Sequence, residues 1–142
     1  VDRAQQIFQT LLEQKSKQKR GKDLGRLQHK IGAVAEKRGD LKTASEQYAA
    51  AFQTDPTYPP VLVALGRMHL VASEWEKARR YYRQLLMQNC EAAFKIEAYT
   101  ELAKIHETLN EGPKAAGMYE RALELDPKNA DLQAALKRVR GR

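Results

Sequence analysis

The sequence predicts an all-α protein built as one domain of stacked antiparallel helix pairs. The first observation is a repeated phrase. Tyr119 to Pro127 reads YERALELDP, with Ala115 four residues ahead of the tyrosine. Ala44, Tyr48, Ala51 and Pro56 have the same spacing, and so do Ala78, Tyr82, Leu85 and Cys90, with Cys in the Pro slot. Ala4, Phe8, Leu11 and Ser16 form a looser copy. The distance from Ala44 to Ala78 is 34 residues and from Ala78 to Ala115 is 37, a period that marks stacked repeats. The second observation is composition: β-branched residues are few, and Ala, Leu, Glu, Lys, Gln and Arg, all good helix formers, are abundant.

Residues 1–18 carry a helical stripe of Ala4, Ile7, Phe8, Leu11 and Leu12 from Asp2 onward, and read as half a repeat. The run KSKQKRGK (15–22) is polar and basic and contains Gly21, so 19–24 is expected to be a solvated loop. Asp23 is the expected N-cap of a helix with Leu27, Ile31, Val34 and Ala35 on its apolar side. Gly39-Asp40 breaks it. The partner helix, from Leu41, ends at DPTYPP (55–60), where three prolines forbid continuation. These two helices make the first unit, 25–58.

The second unit, 59–92, pairs a helix carrying Val61, Leu62, Leu65, Met68 and His69 with one carrying Trp75, Ala78, Tyr81, Tyr82, Leu85 and Leu86. Ser73 is the expected cap between them, and Asn89-Cys90 the end. The third unit, 93–129, has three extra residues at 93–95, expected to lengthen the start of a helix with Tyr99, Leu102, Ala103, Ile105 and His106. Gly112-Pro113 then restarts the chain with Pro in a first turn. In 130–142, Lys137 takes the place of the crowded small residue and Arg140 that of the aromatic. A charge there is costly to bury, so this segment is expected to cap the stack with its basic face in water.

The arrangement closely resembles the tetratricopeptide repeat family, whose unit is two antiparallel helices. The resemblance rests on Ile31-Gly32, Leu65-Gly66 and Leu102-Ala103 in the first helices, and on the repeated alanine and tyrosine phrase in the second. It implies a right-handed solenoid whose first helices line a concave groove that takes a peptide or helix of a partner protein. By that resemblance the groove residues are Lys30, Val63, Arg67, Leu70, Val71 and Lys104, an apolar middle with cations beside it, suited to a segment with apolar anchors and acidic groups. One use of the family is a carboxylate clamp on chaperone tails, built from Lys, Asn and Arg; Ala33 and Ala64 stand where two of its asparagines would be, so that use is not expected here. The chain departs from the pattern at Gln28 and Leu62 (only Tyr99 keeps the aromatic), at Ala35, His69 and His106, and at Leu85 and Cys90.

Catalysis is not expected, nor a cofactor. The sequence has three His and one Cys, with no phosphate loop and no pair at metal spacing. His69 and His106 share a repeat position, but zinc takes three or four ligands, so both are expected to fill an aromatic's slot in the core. Glu74, Glu76, Glu107 and Glu111 read as helix-pairing charges. The net charge of +7 raises nucleic-acid binding as an alternative, through 15–22, Arg79, Arg80, Arg83 and the C-terminal cations. Residues 96–129 carry −3, however, which interrupts any continuous basic track. Self-association by end-to-end stacking of repeats is the other alternative. No stretch is apolar enough to insert in a membrane, and a single Cys suits a reducing, cytoplasmic setting. The chain opens on Val and on half a repeat, and so reads as an excised piece of something longer.

Overall fold

The computed structural model describes residues 3–141. Asp2, the expected helix start, and Arg142 lie outside the described residues, as does the side chain of Phe8. Among the described residues there are seven helices and no strand: α1 (Arg3–Lys37), α2 (Leu41–Thr54), α3 (Pro59–Val71), α4 (Trp75–Leu86), α5 (Ala92–Thr108), α6 (Gly112–Leu125) and α7 (Ala130–Arg140). They fall into two compact units, one up to Val61 and one from Leu62 on, with α3 spanning the boundary.

In the first unit α2 runs back along α1. Ala44, Tyr48 and Ala51 are buried along one side of α2. Gly32 is required on α1: a Cβ there would lie 2.7 Å from the Tyr48 ring. The Tyr48 hydroxyl donates to Glu36 Oε1 at 2.8 Å, and at the far end Thr54 Oγ1 donates to Gln28 Oε1 at 2.9 Å. Gly39 has φ +81°, and the Asp40 amide reaches back to the Ala35 carbonyl at 2.9 Å, which closes the helix end. The Asp40 carboxylate then accepts from the Thr43 amide and caps α2.

Two expectations fail here. Residues 19–24 are not a loop: α1 runs unbroken for 35 residues, and Asp23 lies inside it, 4.0 Å from Arg26 one turn on. The physical reason is that KRGKDL holds one glycine among good helix formers. A lone glycine costs only about 1 kcal/mol in a helix, less than a break needs. Gly21 and Gly25 permit a close approach: their Cβ positions would lie 3.8 Å from the Thr54 carbonyl and 3.3 Å from Asp55 Cβ. The half-repeat 1–18 is therefore the start of the same helix, exposed along its length at every described side chain from Arg3 to Arg20. Second, Leu27, Ile31 and Val34 are exposed, and only Ala35 of that predicted stripe is buried.

In the second unit Gly66 stands to Tyr82 as Gly32 does to Tyr48, its Cβ position 2.8 Å from the ring. The turns repeat as well. Ser73 (φ +59°) and Asn110 (φ +65°) occupy the place of Gly39, and the amides of Glu74 and Glu111 bond back to the carbonyls of His69 and His106 at 2.8 and 2.7 Å. Ser73 is thus the left-handed residue of the turn, and Glu74 takes the cap position. α5 has 17 residues against 13 in α3, with 93–95 in its first turn. α6 starts with Pro113 in its first turn. Ala103, Ala115, Tyr119 and Ala122 form a core with Leu132, Ala135 and Val139 of α7. Asn129 caps α7 by accepting from the Leu132 amide, and Lys137 and Arg140 stay exposed, as their charge requires.

Candidate functional site

α3 carries most of the predicted groove residues, and its apolar character explains its burial. Val61, Leu62, Val63, Ala64 and Leu65 are all buried. Val63, 7% exposed, therefore belongs to the core and offers no surface to a ligand, which corrects the expectation for that residue. Beyond Gly66 the helix emerges. Arg67 is exposed, Leu70 half-buried and Val71 80% exposed. Spacing of three and four residues sets these three on one helical face. Lys30 is exposed on α1 in the first unit.

Lys104 is exposed on α5, and its Nζ lies 3.3 Å from Glu101 Oε1. Arg67 acts on the same helix through Glu97. Burial pushes the Glu97 carboxyl above its ordinary value, with Arg67 opposing the shift and Glu101 adding to it. The Tyr82 phenol is also pushed up, first by burial, then by Glu101 and Glu97, with Arg67 again opposing. Arg67, Glu97, Glu101 and Lys104 are thus one electrostatic neighbourhood. Glu97 and Glu101 were not among the expected site residues, although both fall at inner-face places by the repeat register.

A second constellation includes a link with no sequence signal, because Arg138 and Glu107 are 31 residues apart. Arg138 of α7 donates to both oxygens of Glu107 at 2.9 and 3.0 Å, and the Tyr119 hydroxyl donates to Glu107 Oε2 at 2.6 Å. Burial, then the hydrogen bond to Glu107, raises the Tyr119 phenol well above its usual value.

The two histidines hold their own turns together. Nδ1 of His69 lies 3.3 Å from Glu74 Oε1, and Nδ1 of His106 lies 3.3 Å from Glu111 Oε1. His106 is buried at 3% exposure, and His69 is half-buried and stacks on Tyr81 at 5.4 Å. The lysine one turn on is the larger influence on each glutamate: Lys77 holds Glu74, and Lys114 holds Glu111, below the ordinary carboxylate value, with the histidine second. Among the described residues no group of His, Cys, Asp or Glu is arranged to hold a metal, and no helix is long and apolar enough to cross a membrane.

Comparison with known proteins agrees with this geometry. Residues 98–133 match the sequence model of the tetratricopeptide repeat. Among solved structures, the first TPR of Spaghetti (RPAP3) bound to the HSP90 peptide SRMEEVD superposes with a TM-score of 0.73 at 19% identity, covering 84% of this chain and 92% of that one. The Arabidopsis OM64 TPR domain gives 0.74 at 20% identity, covering 86% and 98%. The N-terminal domain of stress-induced protein-1 (STI-1) from C. elegans gives 0.74 at 14% identity, covering 84% and 97%. At such identities the likeness establishes the fold: paired antiparallel helices in the tetratricopeptide arrangement.

Proposed function

From a chain with the tetratricopeptide-repeat fold, we propose a non-catalytic protein-interaction module that binds a peptide or helix of a partner on the inner face of its second and third repeats. The observation that carries the proposal is the face made by Arg67, Leu70 and Val71. It places an apolar side chain 80% in water directly after a half-buried one, with a guanidinium one turn away. Leu70 and Val71 are the anchors, and desolvating them supplies most of the energy. Arg67 and Lys104 receive carboxylates of the ligand. Both already face carboxylates of α5, so the incoming acid exchanges with the half-buried Glu97 and Glu101, and exchange of one carboxylate for another tunes specificity and on-rate more than affinity.

The Spaghetti TPR, which was solved with an HSP90 peptide, supports a peptide ligand for this fold. The residues here argue for a different peptide: Ala33 and Ala64 supply no amide, and Ala64 is buried. A reducing, cytoplasmic setting suits the single Cys90, which is half-buried with its thiol toward the Leu85 carbonyl.

Affinity capture on the full chain is the test, comparing the parent with the double variant Arg67→Ala/Leu70→Ala and with Val71→Asp. Val71 is too exposed for its replacement to unfold the protein. Loss of the same captured partner in both variants, with helicity intact, is the expected result. Undiminished capture would move the site off this face.

A further inference from the structure

α1 carries a second unpartnered surface, independent of the inner-face reading. Arg20, Leu24, Leu27, Ile31, Val34 and Arg38 follow one another at spacings of four and three residues. That alternation is the seam of a two-helix coiled coil. It lies beside the glycine side on which α2 packs, and Leu24, Leu27, Ile31 and Val34 are each 43–53% exposed. Between this seam and the start of α2 is an open groove of about 360 Å³ lined by Ile31, Val34 and Ala35, by the cations Lys30 and Arg38, and by Thr43 and Asp40, whose carboxylate is already engaged in capping α2. Lys37 continues the cationic edge two turns past Lys30, and Arg20 closes the far end of the seam.

We propose that this seam docks an amphipathic helix of another protein. Its apolar residues recur at alternating three- and four-residue spacing, and carboxylates flank them opposite Lys30, Lys37 and the two terminal arginines. The charges on the page select that occupant over two others. The chain's own segment 3–18 does not fit: the unbroken helix carries Ile7 and Leu11 to about the opposite side, and the segment's end holds Lys15 and Lys17. A second copy does not fit either. In antiparallel pairing of two such seams, the register that matches Leu24 with Val34 and Leu27 with Ile31 sets Arg20 against Arg38 at both ends, like charges whose contact is costly. Glutamates along the edge of an incoming helix reverse each of those contacts.

The test uses the full chain and a labelled synthetic helix with leucines at alternating three- and four-residue spacing, in one version flanked by glutamates and in another by lysines. Fluorescence anisotropy is expected to show the glutamate version binding at least about tenfold tighter. Lys30→Glu/Arg38→Glu is expected to reverse that preference. Ile31→Asp abolishes binding of both versions, while circular dichroism stays unchanged because the side chain already lies in water. Arg67→Ala/Leu70→Ala binds the helix normally, which separates this surface from the inner face. Equal affinity for the two versions, or a preference that survives the charge reversal, overturns the proposal. So does sedimentation showing that the chain is a dimer dissociated by Ile31→Asp, since the occupant would then be a second copy.

Discussion

The second and third helix pairs of this chain share a tyrosine and differ in what it meets. In the third, the Tyr119 hydroxyl donates to Glu107, twelve residues upstream, and Arg138 clamps the same carboxylate. The first pair has the same bond between Tyr48 and Glu36. In the second pair the residue twelve before Tyr82 is Leu70, which cannot accept. All three rings are buried at 1% exposure, so the ring belongs to the fold and the carboxylate to the individual repeat. Where the carboxylate is replaced, α3 ends in an apolar pair, half-buried Leu70 and exposed Val71. A local departure from the rule that neighbouring repeats obey is the ground on which the binding face is proposed.

If the ring and its small neighbour are the structural element, enlarging the neighbour is the most damaging change. Gly66→Ala and Gly32→Ala each drive a Cβ to within 2.8 Å of a buried ring that has no room to retreat. Overpacking of this kind costs about 1–3 kcal/mol, and urea unfolding should show it in both variants. Gly117→Ala is the control, because nothing lies within 4 Å of its Cβ position, and a gain of up to about 1 kcal/mol is expected.

A smaller effect separates the hydroxyls. Tyr119→Phe and Tyr48→Phe each leave a partly buried carboxylate short of a donor, at a cost of about 1–2 kcal/mol. Tyr82→Phe removes a hydroxyl with no carboxylate at the corresponding place, and should cost clearly less by the same urea titration. Equal losses at all three positions would mean that the hydroxyl contributes through something other than the glutamate.

Much of this was legible in the sequence. The alanine and tyrosine phrase located α2, α4 and α6, and Gly32, Gly66 and Ala103 located the small residues that the rings meet. Lys137 and Arg140 announced a capping helix, since neither charge could be buried where the repeat register would put it. The unbroken course of α1 was not legible. A glycine inside a basic run signals a turn and a close helix approach equally well, and only the position of Thr54 and Asp55 decides between them. Periodicity likewise showed that Leu27, Ile31 and Val34 share a face without showing whether anything covers it. Val63 failed for a related reason: the family register names the face, while burial depends on how deeply that part of α3 is packed. The bond from Arg138 to Glu107 joins distant positions with no spacing signature.

The claim that the second helix pair exchanges a structural bond for a binding surface is tested most directly by Leu70→Glu. The new carboxylate stands where Glu36 and Glu107 stand in the other pairs, within reach of the Tyr82 hydroxyl. Binding of the captured partner and urea unfolding are measured on the same protein. The account predicts stability within about 1 kcal/mol of the parent and affinity reduced by about tenfold or more, 1.4 kcal/mol. Affinity left intact while stability collapses would contradict it.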